Sequence, residues 1–247
     1  MQYNVGKCGV MHIGHSNRGH QYEMNGQHLN ETKLEKDLGV YVHQSLKPSQ
    51  HIAAAVQKAN QVLGMIKRNI TNKSTSVITK LYKELVRPHL EYGVQAWSPW
   101  LKKDIDKLEA VQRRASRMIP EIKGLTYEER LGKMGLTTLA TRRYRGDMLE
   151  VFKLVKGLEG IEAEELFTYN TSTYTTRGHT HKLEIGHSRL DVRKKFFTRR
   201  VLGPWNRLPP HVVSPSTTDG FKRTMDRHIM KTVINGGATE GYPPTRP

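Results

Sequence analysis

Apolar residues between positions 49 and 158 recur about every three or four residues, the period of helices that bury one face. The first of these faces follows Ser49, which can cap a helix. Its apolar positions are Ile52, Ala55, Val56, Ala59, Val62, Leu63, Ile66 and Ile70. A second face, Val77, Ile78, Leu81, Leu85 and Val86, follows Ser74 or Thr75. This helix is predicted to break near Arg87, because a residue before proline avoids helical geometry.

The next predicted helix contains LEAVQRRASRMIP, residues 108–120, and combines an apolar face with a cationic one. Ser98 and Pro99 are expected to start it, and Pro120 to end it. The apolar face comprises Ile105, Leu108, Val111, Ala115, Met118, Ile119 and Ile122. The opposite face comprises Lys103, Lys107, Arg113, Arg114 and Arg117. The cationic face is either exposed to solvent without a binding role, or it forms a ridge that binds a polyanion.

Two further signals complete a predicted helical bundle over residues 49–158. Thr126 and Glu129 have the spacing of a capping box at the start of a helix. A longer helix is predicted over residues 138–158. Its predicted buried side chains are Tyr144, Met148, Val151, Phe152, Val155 and Leu158.

Residues 1–48 are predicted to form a small antiparallel β element, because KCGVMHI alternates apolar and polar positions. Asn25-Gly26 predicts a tight hairpin turn. A further strand is predicted over residues 38–42. So few apolar residues can form a stable sheet only by packing against another element.

Residues 159–235 are predicted to be a basic, partly irregular region with short helices, and residues 236–247 a disordered tail. The segment VRKKFFTRRVLGPWNRLPP is predicted to contain one helix that ends at Gly203-Pro204, and FKRTMDRHI a last short one. The predicted fold class is therefore mainly α, with a small N-terminal antiparallel β element, a helical bundle and a basic C-terminal region.

The net charge of +17 and isoelectric point near 10.0 favour a polyanionic partner, and nucleic acid over an anionic membrane. The cationic clusters are Lys103, Lys107, Arg113, Arg114 and Arg117; Arg142, Arg143 and Arg145; and Arg193, Lys194, Lys195, Arg199 and Arg200. One cluster alone is usually a solvated face, whereas three favour contacts to a phosphate backbone. The aromatic residues Tyr144, Phe196, Phe197, Trp97 and Trp205 are candidates for stacking on bases, although aromatics at helical spacing usually belong to a core.

The cysteine, histidines and paired acids of the sequence do not predict a metal site. The single cysteine, Cys8, excludes an intrachain disulfide and a zinc finger built on paired thiolates. Cys8, His12, His15 and His20 are close in sequence, as are His179 and His181, but neither spacing matches a zinc site, so no metal and no cofactor are expected. Asp104 and Asp106, two residues apart on a helix, are expected to point away from each other.

Localisation is predicted from what the sequence lacks. No apolar run reaches the roughly 18 residues of a membrane span. The N-terminal residues also lack the cationic segment followed by an apolar segment that is typical of a secretion signal. An intracellular protein, nuclear or cytoplasmic, without membrane contact is therefore expected.

A family resemblance rests on an ordered set of segments that covers nearly the whole chain. They are NVGKCGVMHIG, YEMNGQHL, EKDLGVYV, QKANQVLGMIKRNI, LYKELVRPHLEYGVQAWSPW, DIDKLEAVQRRASRMI, TYEERL, RRYRGDMLEVFKLVKG and FFTRRVLGPWNRLPPHVV. This succession resembles the C-terminal part of reverse transcriptases from non-LTR, LINE-type (jockey-like) retrotransposons.

The resemblance implies that Lys7 matches a palm lysine that assists pyrophosphate departure. The hairpin at Asn25-Gly26 and the strand at Asp37, Leu38 and Gly39 would match the primer grip. The bundle from residue 49 would match the thumb, which holds RNA, DNA or an RNA–DNA hybrid by its backbone. Gly9 departs from the family, which usually has a basic residue there, and no cysteine-rich knuckle follows the thumb.

The family's catalytic aspartates, in an Ala-Asp-Asp turn that holds the Mg ions, lie upstream of the part matched by this chain. The chain is therefore expected to be a fragment that binds nucleic acid but does not polymerise alone, and an upstream palm and fingers polypeptide is an implied partner. Met1 falls where the family continues, which indicates an internal start codon or a truncated copy.

Two alternatives remain open. The first is a relic or co-opted helical module that binds a protein partner, because a small sheet without its palm exposes apolar surface and edges. The second is a complete polymerase whose upstream half lies in the genomic sequence before Met1.

Overall fold

A computed structural model describes residues 3–14, 16–170 and 178–234 of the chain. It is mainly helical, with a small β element at the N-terminus followed by helices, which confirms the predicted fold class. Of the predicted segments, the C-terminal tail lies outside the described residues.

The β element consists of short strands after a 3₁₀ turn at Val5–Lys7. The strands are β1 (Gly9–Val10), β2 (Glu23–Met24), β3 (Gln27–His28), β4 (Asn30–Glu31), β5 (Leu34–Asp37) and β6 (Val40–His43). β1 pairs in parallel with β4, whereas β2–β3 and β5–β6 are antiparallel hairpins.

The two hairpins share one turn geometry. Asn25 and Gly26 have φ of 52° and 73°, which confirms the predicted tight turn. Leu38 and Gly39, with φ of 44° and 87°, form the second turn. The strand predicted over residues 38–42 is confirmed from Val40, where β6 begins, whereas Leu38 and Gly39 belong to the turn between β5 and β6. Because Asp37-Leu38-Gly39 lacks the Asn-Gly pair that is typical of a tight turn, the sequence did not predict a turn here.

The β5–β6 hairpin is anchored on the helices that follow it. The Tyr92 hydroxyl donates to the Leu38 carbonyl at 3.0 Å, and the Tyr41 amide donates to Nδ1 of His51 at 3.2 Å. Val40 packs against the first hydrophobic core. This packing gives the small hairpin the support that its own composition does not provide.

The helices of residues 49–158 follow the predicted pattern closely. They are α1 (Ser49–Asn69), α2 (Thr75–Leu81), α3 (Arg87–Glu91), α4 (Val94–Trp97), α5 (Lys102–Ser116), α6 (Tyr127–Met134) and α7 (Leu139–Val155). The predicted face of α1 packs in the core, with Ile52, Ala55, Ala59, Leu63 and Ile66 buried. Thr126 and Glu129 form the expected capping box at α6.

The predicted break at Arg87 is wrong. A π-helical turn at Tyr82–Val86 joins α2 to α3, and the Arg87 amide bonds to the Tyr82 carbonyl. Pro88 directly follows the π-helical turn and lies in the first turn of α3, where it has no N–H to donate. The wider turn therefore lets the helical path continue past a proline.

Two other helix boundaries differ from the prediction. α5 begins after Leu101 and ends at Ser116, so the 98–120 span is shorter than expected, and Pro120 starts a separate 3₁₀ turn. α7 ends at Val155, and Leu158, which was predicted to be buried, is 47% exposed.

The C-terminal region contains several short helices and one long one. They are α8 (Ala163–Leu166), α9 (Asp191–Lys194), α10 (Phe197–Arg200), α11 (Leu202–Asn206), α12 (Pro210–Val213) and α13 (Thr218–Ile234). The single cationic helix predicted here is wrong, because Phe196 is extended between α9 and α10. Pro204 does not end a helix but occupies the first turn of α11.

The buried residues form two hydrophobic cores that meet along α7. The first core comprises residues from α1 to Leu139 at the start of α7. The second runs from Tyr144 through the C-terminal helices and includes a stacked pair, Phe152 and Phe221, with ring centroids 4.3 Å apart. The C-terminal region is thus better packed than the sequence indicated. Within the described ranges, no helix has the length and apolarity needed to cross a membrane.

Candidate nucleic-acid interface

A groove lined by cations runs between the end of α1 and the end of α5, with a cavity volume of about 630 Å³. Its cationic residues are Lys67, Lys73, Arg114, Arg117 and Lys123, and we call it the basic groove. Its remaining lining residues are Asn60, Leu63, Gly64, Met118 and Pro120. Neither aspartate nor glutamate is among the lining residues. The groove therefore combines a positive electrostatic potential with a partly apolar surface.

Helix geometry places the two arginines. Arg114 and Arg117 lie three residues apart at the end of α5 and are exposed, while Val111 and Ala115 on the opposite face are fully buried. Lys67 occupies the last turn of α1, where it also interacts favourably with the helix dipole. The packing of α1 against α5 therefore brings the cations of two helices to one groove.

The basic groove has few internal partners. Among the described residues, none of its five cations forms an ion pair. Arg114 Nε donates only to the Ala110 carbonyl of its own helix, at 3.3 Å. Glu121, beside Pro120 in sequence, accepts from the Thr75 hydroxyl at 2.9 Å and does not line the groove. Among the described residues, no carboxylate therefore forms an ion pair that would neutralise the positive charge of the groove.

Arg113 does not belong to the basic groove, although the sequence grouped it with Arg114 and Arg117. Its guanidinium lies 4.5 Å from the centroid of the Tyr127 ring and is half-buried. A cation over an aromatic face is a stabilising contact within the fold. Lys103 and Lys107 are exposed on α5 but do not line the groove, and their role in binding stays a prediction.

The second predicted cluster is used by the fold itself. Arg142 forms a two-point ion pair with Glu91 on α3, and Arg145 forms one with Asp226 on α13. Arg143 is only 2% exposed. Because α7 packs between other helices, its cations meet carboxylates or the interior, and we leave all three out of the proposed interface.

The third predicted cluster divides in the same way. Arg200 pairs with Asp147, with two N···O distances of 2.9 Å, and is therefore structural. Lys194 pairs with Asp191 at an exposed site. Arg193 and Lys195 are exposed, and Arg199 is half-buried. These residues remain candidates for solvent-facing contacts, although they do not line the basic groove.

Most of the predicted stacking aromatics are buried. Trp205, Trp97 and Tyr144 are 0%, 3% and 6% exposed, which confirms the expectation that aromatics at helical spacing usually belong to a core, and they are not available to stack on bases. Phe196 is 40% exposed and Phe197 half-buried. Only these two of the five predicted aromatics present a ring to solvent.

The residues assigned to the palm and primer grip lie on the N-terminal β element. Lys7 is exposed at the end of a 3₁₀ turn, and Asn25 and Gly26 form the exposed tip of the first hairpin. Asp37, Leu38 and Gly39 lie at the turn of the second hairpin, against Tyr92. Neither hairpin contributes a lining residue to the basic groove.

His179 and Asp104 have structural roles within the fold. Among the described residues, no three His, Cys, Asp or Glu side chains are grouped to hold a metal; His15 lies outside them. His179 Nε2 bonds to the Trp205 carbonyl at 3.0 Å, and burial lowers the pKa of His179. Asp104 is fully buried and accepts from the Ser49 hydroxyl, whereas Asp106 is exposed, which confirms that they point apart.

Sequence reasoning missed Lys67, Lys73 and Lys123. Each lies in a separate segment and none stands in a dense cationic run, so local clustering could not reveal their convergence with α5. Comparison of the chain with protein-family models, with curated proteins and with solved structures returned no match.

Proposed function

We propose that this protein binds nucleic acid through the basic groove, by contacts to the phosphate backbone. The observation that carries this proposal is the convergence of five cations, from four segments of the chain, with no acidic residue among the lining. Cations that contact phosphates supply affinity without reading base sequence. Binding to RNA, DNA and hybrid duplexes is therefore expected to depend little on sequence.

The floor of the groove supports a backbone ligand. Met118 and Pro120 offer apolar surface to the sugar rings, while the cations offer charge to the phosphates. Gly64 lies in the middle of α1, where glycine costs helix stability. A Cβ there would meet only the Arg68 guanidinium, at 3.5 Å, so packing within the chain does not require glycine. Close approach of a ligand to the α1 backbone is a reason for it.

We further propose that the bundle serves as the thumb of a non-LTR retrotransposon reverse transcriptase, with the β5–β6 hairpin as its primer grip. The ordered segments of the sequence support this assignment. In such an enzyme, the Mg ions would be held by aspartates of a palm and fingers polypeptide, and this chain alone would hold template and primer without polymerising. Lys7 would then lie at the palm boundary.

The test is a titration of fluorescently labelled duplexes across a salt series. If five phosphates are contacted, log K should fall against log salt with a slope of about −4 to −5. The variant Lys67→Gln/Arg114→Gln/Arg117→Gln should lower the affinity for every duplex and reduce the slope by about 3. A flat salt response would overturn the proposal.

A matched control separates the groove from net charge. The variant Lys58→Gln/Lys80→Gln/Lys133→Gln removes the same charge from exposed positions outside the groove and should change affinity far less. Equal losses in the two variants would show that the groove has no special part in binding.

The exposed apolar residues of the β element favour a second candidate, a protein-binding module. Leu38 is 85% exposed, Tyr3 78% and Tyr22 50%. Such a surface fits a protein partner, including a palm polypeptide. Pull-down with and without nuclease discriminates the two functions, because partners held by nucleic acid are lost after nuclease treatment.

A further inference from the structure

A second cavity, of about 460 Å³, is open to solvent and is lined by residues of β6, α4 and the start of α10. Five aromatic residues line it, namely Tyr41, Trp97, Trp100, Phe196 and Phe197, and we call it the aromatic pocket. Phe196 is 40% exposed, and Tyr41 and Trp100 are partly exposed. Tyr41, Trp100 and Phe196 are therefore the aromatic side chains that a ligand in the pocket can reach, whereas Trp97 is buried in the first core.

The charged residues of the aromatic pocket are all cationic. Lys47, in the segment before α1, and Lys195, between α9 and α10, both line it, and no aspartate or glutamate does. In the described part of the chain, neither lysine forms an ion pair. An aromatic ligand that carries negative charge therefore complements the pocket.

A buried polar group adds a second feature. Ser98 is 4% exposed and lines the pocket, and its hydroxyl has no hydrogen-bond partner among the described residues. Leaving a buried hydroxyl unpaired is costly, and a ligand with donors and acceptors at its edge would offset that cost. An aliphatic or purely apolar ligand would not.

The walls of the pocket are held in place before any ligand binds. Trp97 Nε1 donates to the Tyr92 carbonyl at 2.6 Å, and the Trp97 ring lies 4.6 Å from that of His51. Arg200 ties α10 to Asp147 and donates to the carbonyls of Val94 and Gln95. Because these contacts fix α4 and α10 relative to each other, little ordering is needed on binding.

We propose that the aromatic pocket binds an unpaired nucleobase and its 5′-phosphate. The base stacks on Phe196 and Trp100, its edge reaches Ser98, and Lys47 and Lys195 contact the phosphate. Stacking of this kind tolerates every base, because each has a π face. This inference rests on the proposed function, because it assumes that the protein binds nucleic acid, but the residues of the pocket differ from those of the basic groove.

The position of the pocket on α1 shows how one strand could occupy both sites. Pro48, just before α1, lines the aromatic pocket, and Asn60, Leu63, Gly64 and Lys67 line the basic groove. At 1.5 Å per residue, the two sites lie roughly 20 Å apart along the helix axis. One nucleic acid would then occupy both sites, with its duplex part in the basic groove and a single-stranded extension in the aromatic pocket.

Tryptophan fluorescence provides the readout. Trp97 and Trp100 line the pocket, whereas Trp205 is fully buried in the second core. Titration of the full chain with adenosine 5′-monophosphate, excited at the red edge of the tryptophan band, should quench the emission in a saturable manner. Ribose 5-phosphate, which lacks the base, should not quench at the same concentrations. Absence of saturable quenching by the nucleotide, or equal quenching by both compounds, overturns the proposal.

Substitutions then assign the contacts. Phe196→Ala should weaken nucleotide binding by roughly 5- to 150-fold, as expected for loss of one stacking ring. Phe196→Tyr should retain it, and Leu190→Ala, which removes an exposed apolar side chain outside the pocket, should leave it unchanged. Lys47→Gln should weaken binding of the nucleotide more than that of adenosine. Unchanged binding in both Phe196→Ala and Lys47→Gln overturns the assignment.

Two controls keep this result separate from the proposed function and from a peptide ligand. The basic-groove variant Lys67→Gln/Arg114→Gln/Arg117→Gln should bind the nucleotide normally. Duplex binding without nucleotide binding would overturn the pocket alone, and nucleotide binding without duplex binding would overturn the groove alone. N-acetyltyrosinamide is an aromatic probe without phosphate, and quenching by it at the same concentrations as the nucleotide would overturn the choice of a nucleobase.

Discussion

Arg200 and Asp147 form a two-point ion pair in which Nε and Nη2 each lie 2.9 Å from a carboxylate oxygen. Asp147 is completely buried, and the Arg200 side chain is 11% exposed. The pair joins α10 to α7, and Arg200 also donates to the carbonyl of Gln95 at 3.1 Å. An arginine in a cationic run of sequence thus serves as a fixed link between the two cores.

Asp147→Asn should lower the free energy of unfolding by about 3–5 kcal/mol, because it leaves the guanidinium of Arg200 buried without its counter-charge. Asp226→Asn is the matched control, since it breaks the more exposed pair with Arg145 and should cost at most about 1 kcal/mol. Urea unfolding followed by circular dichroism measures both. Equal losses would contradict the role given to burial.

Arg113 should behave differently from its two neighbours. Arg113→Gln should leave duplex affinity and its salt slope unchanged and should destabilise the fold by about 0.5–1 kcal/mol, through loss of the Tyr127 contact. Arg114→Gln/Arg117→Gln should reduce the magnitude of the salt slope by about 2 without a change in stability. The measurements are duplex titration and urea unfolding of the same preparations. A reversed pattern would return Arg113 to the interface.

Glu109 is the centre of a buried hydrogen-bond network. It is 2% exposed and accepts from the Tyr127 hydroxyl, from the Leu139 amide at 3.0 Å and from Gln112 Nε2 at 3.2 Å. Burial raises the pKa of the Glu109 carboxyl, and the hydrogen bonds from Tyr127 and Leu139 act against that rise. The network joins α5 to α6 and to the start of α7.

Glu109→Gln should lower the free energy of unfolding by about 1–3 kcal/mol. The substitution replaces one carboxylate oxygen with an amide nitrogen, which cannot accept the hydrogen bond that the oxygen accepts. Glu128→Gln, at an exposed position on α6, should stay within about 0.5 kcal/mol of the unmodified protein. Thermal and urea unfolding test this pair. A neutral Glu109→Gln would indicate that the network does not stabilise the bundle.

The contribution of His51 to stability should fall as the pH is lowered from neutrality. Burial, followed by the nearby charge of Lys36, lowers the pKa of His51 from its ordinary value of 6.5. His51 Nδ1 accepts from the Tyr41 amide, so protonation breaks that bond and places charge in the interior. Because the folded pKa lies below the unfolded one, the contribution is present above pH 6.5 and is lost as the pH falls toward the folded pKa.

The measurement is the melting temperature across that window, compared between the unmodified protein and His51→Asn. The variant should be less stable at neutral pH and should show a smaller decrease on acidification. His179, His181 and His228, whose pKa values burial also lowers, should contribute to the decrease that remains. Parallel curves for the two proteins would exclude His51 as a contributor.

The sequence determined the local elements of this protein. The period of apolar residues in α1 and α7, the capping box at α6 and the Asn25-Gly26 turn each depend on residues close along the chain. Where two local signals competed, as proline and helical period do around Pro88, the sequence alone predicted the wrong outcome. The π turn at Tyr82–Val86 carries the helical path across this point.

Only the tertiary structure decided which cations face solvent. Local spacing puts Arg113, Arg114 and Arg117 in one group and Arg142, Arg143 and Arg145 in another. Whether a guanidinium meets an aromatic ring, a carboxylate or water depends on the helix packed beside it. Lys67, Lys73 and Lys123 join the basic groove for the same reason. Electrostatic interactions extend over distances in space, and only folding converts separations along the chain into those distances.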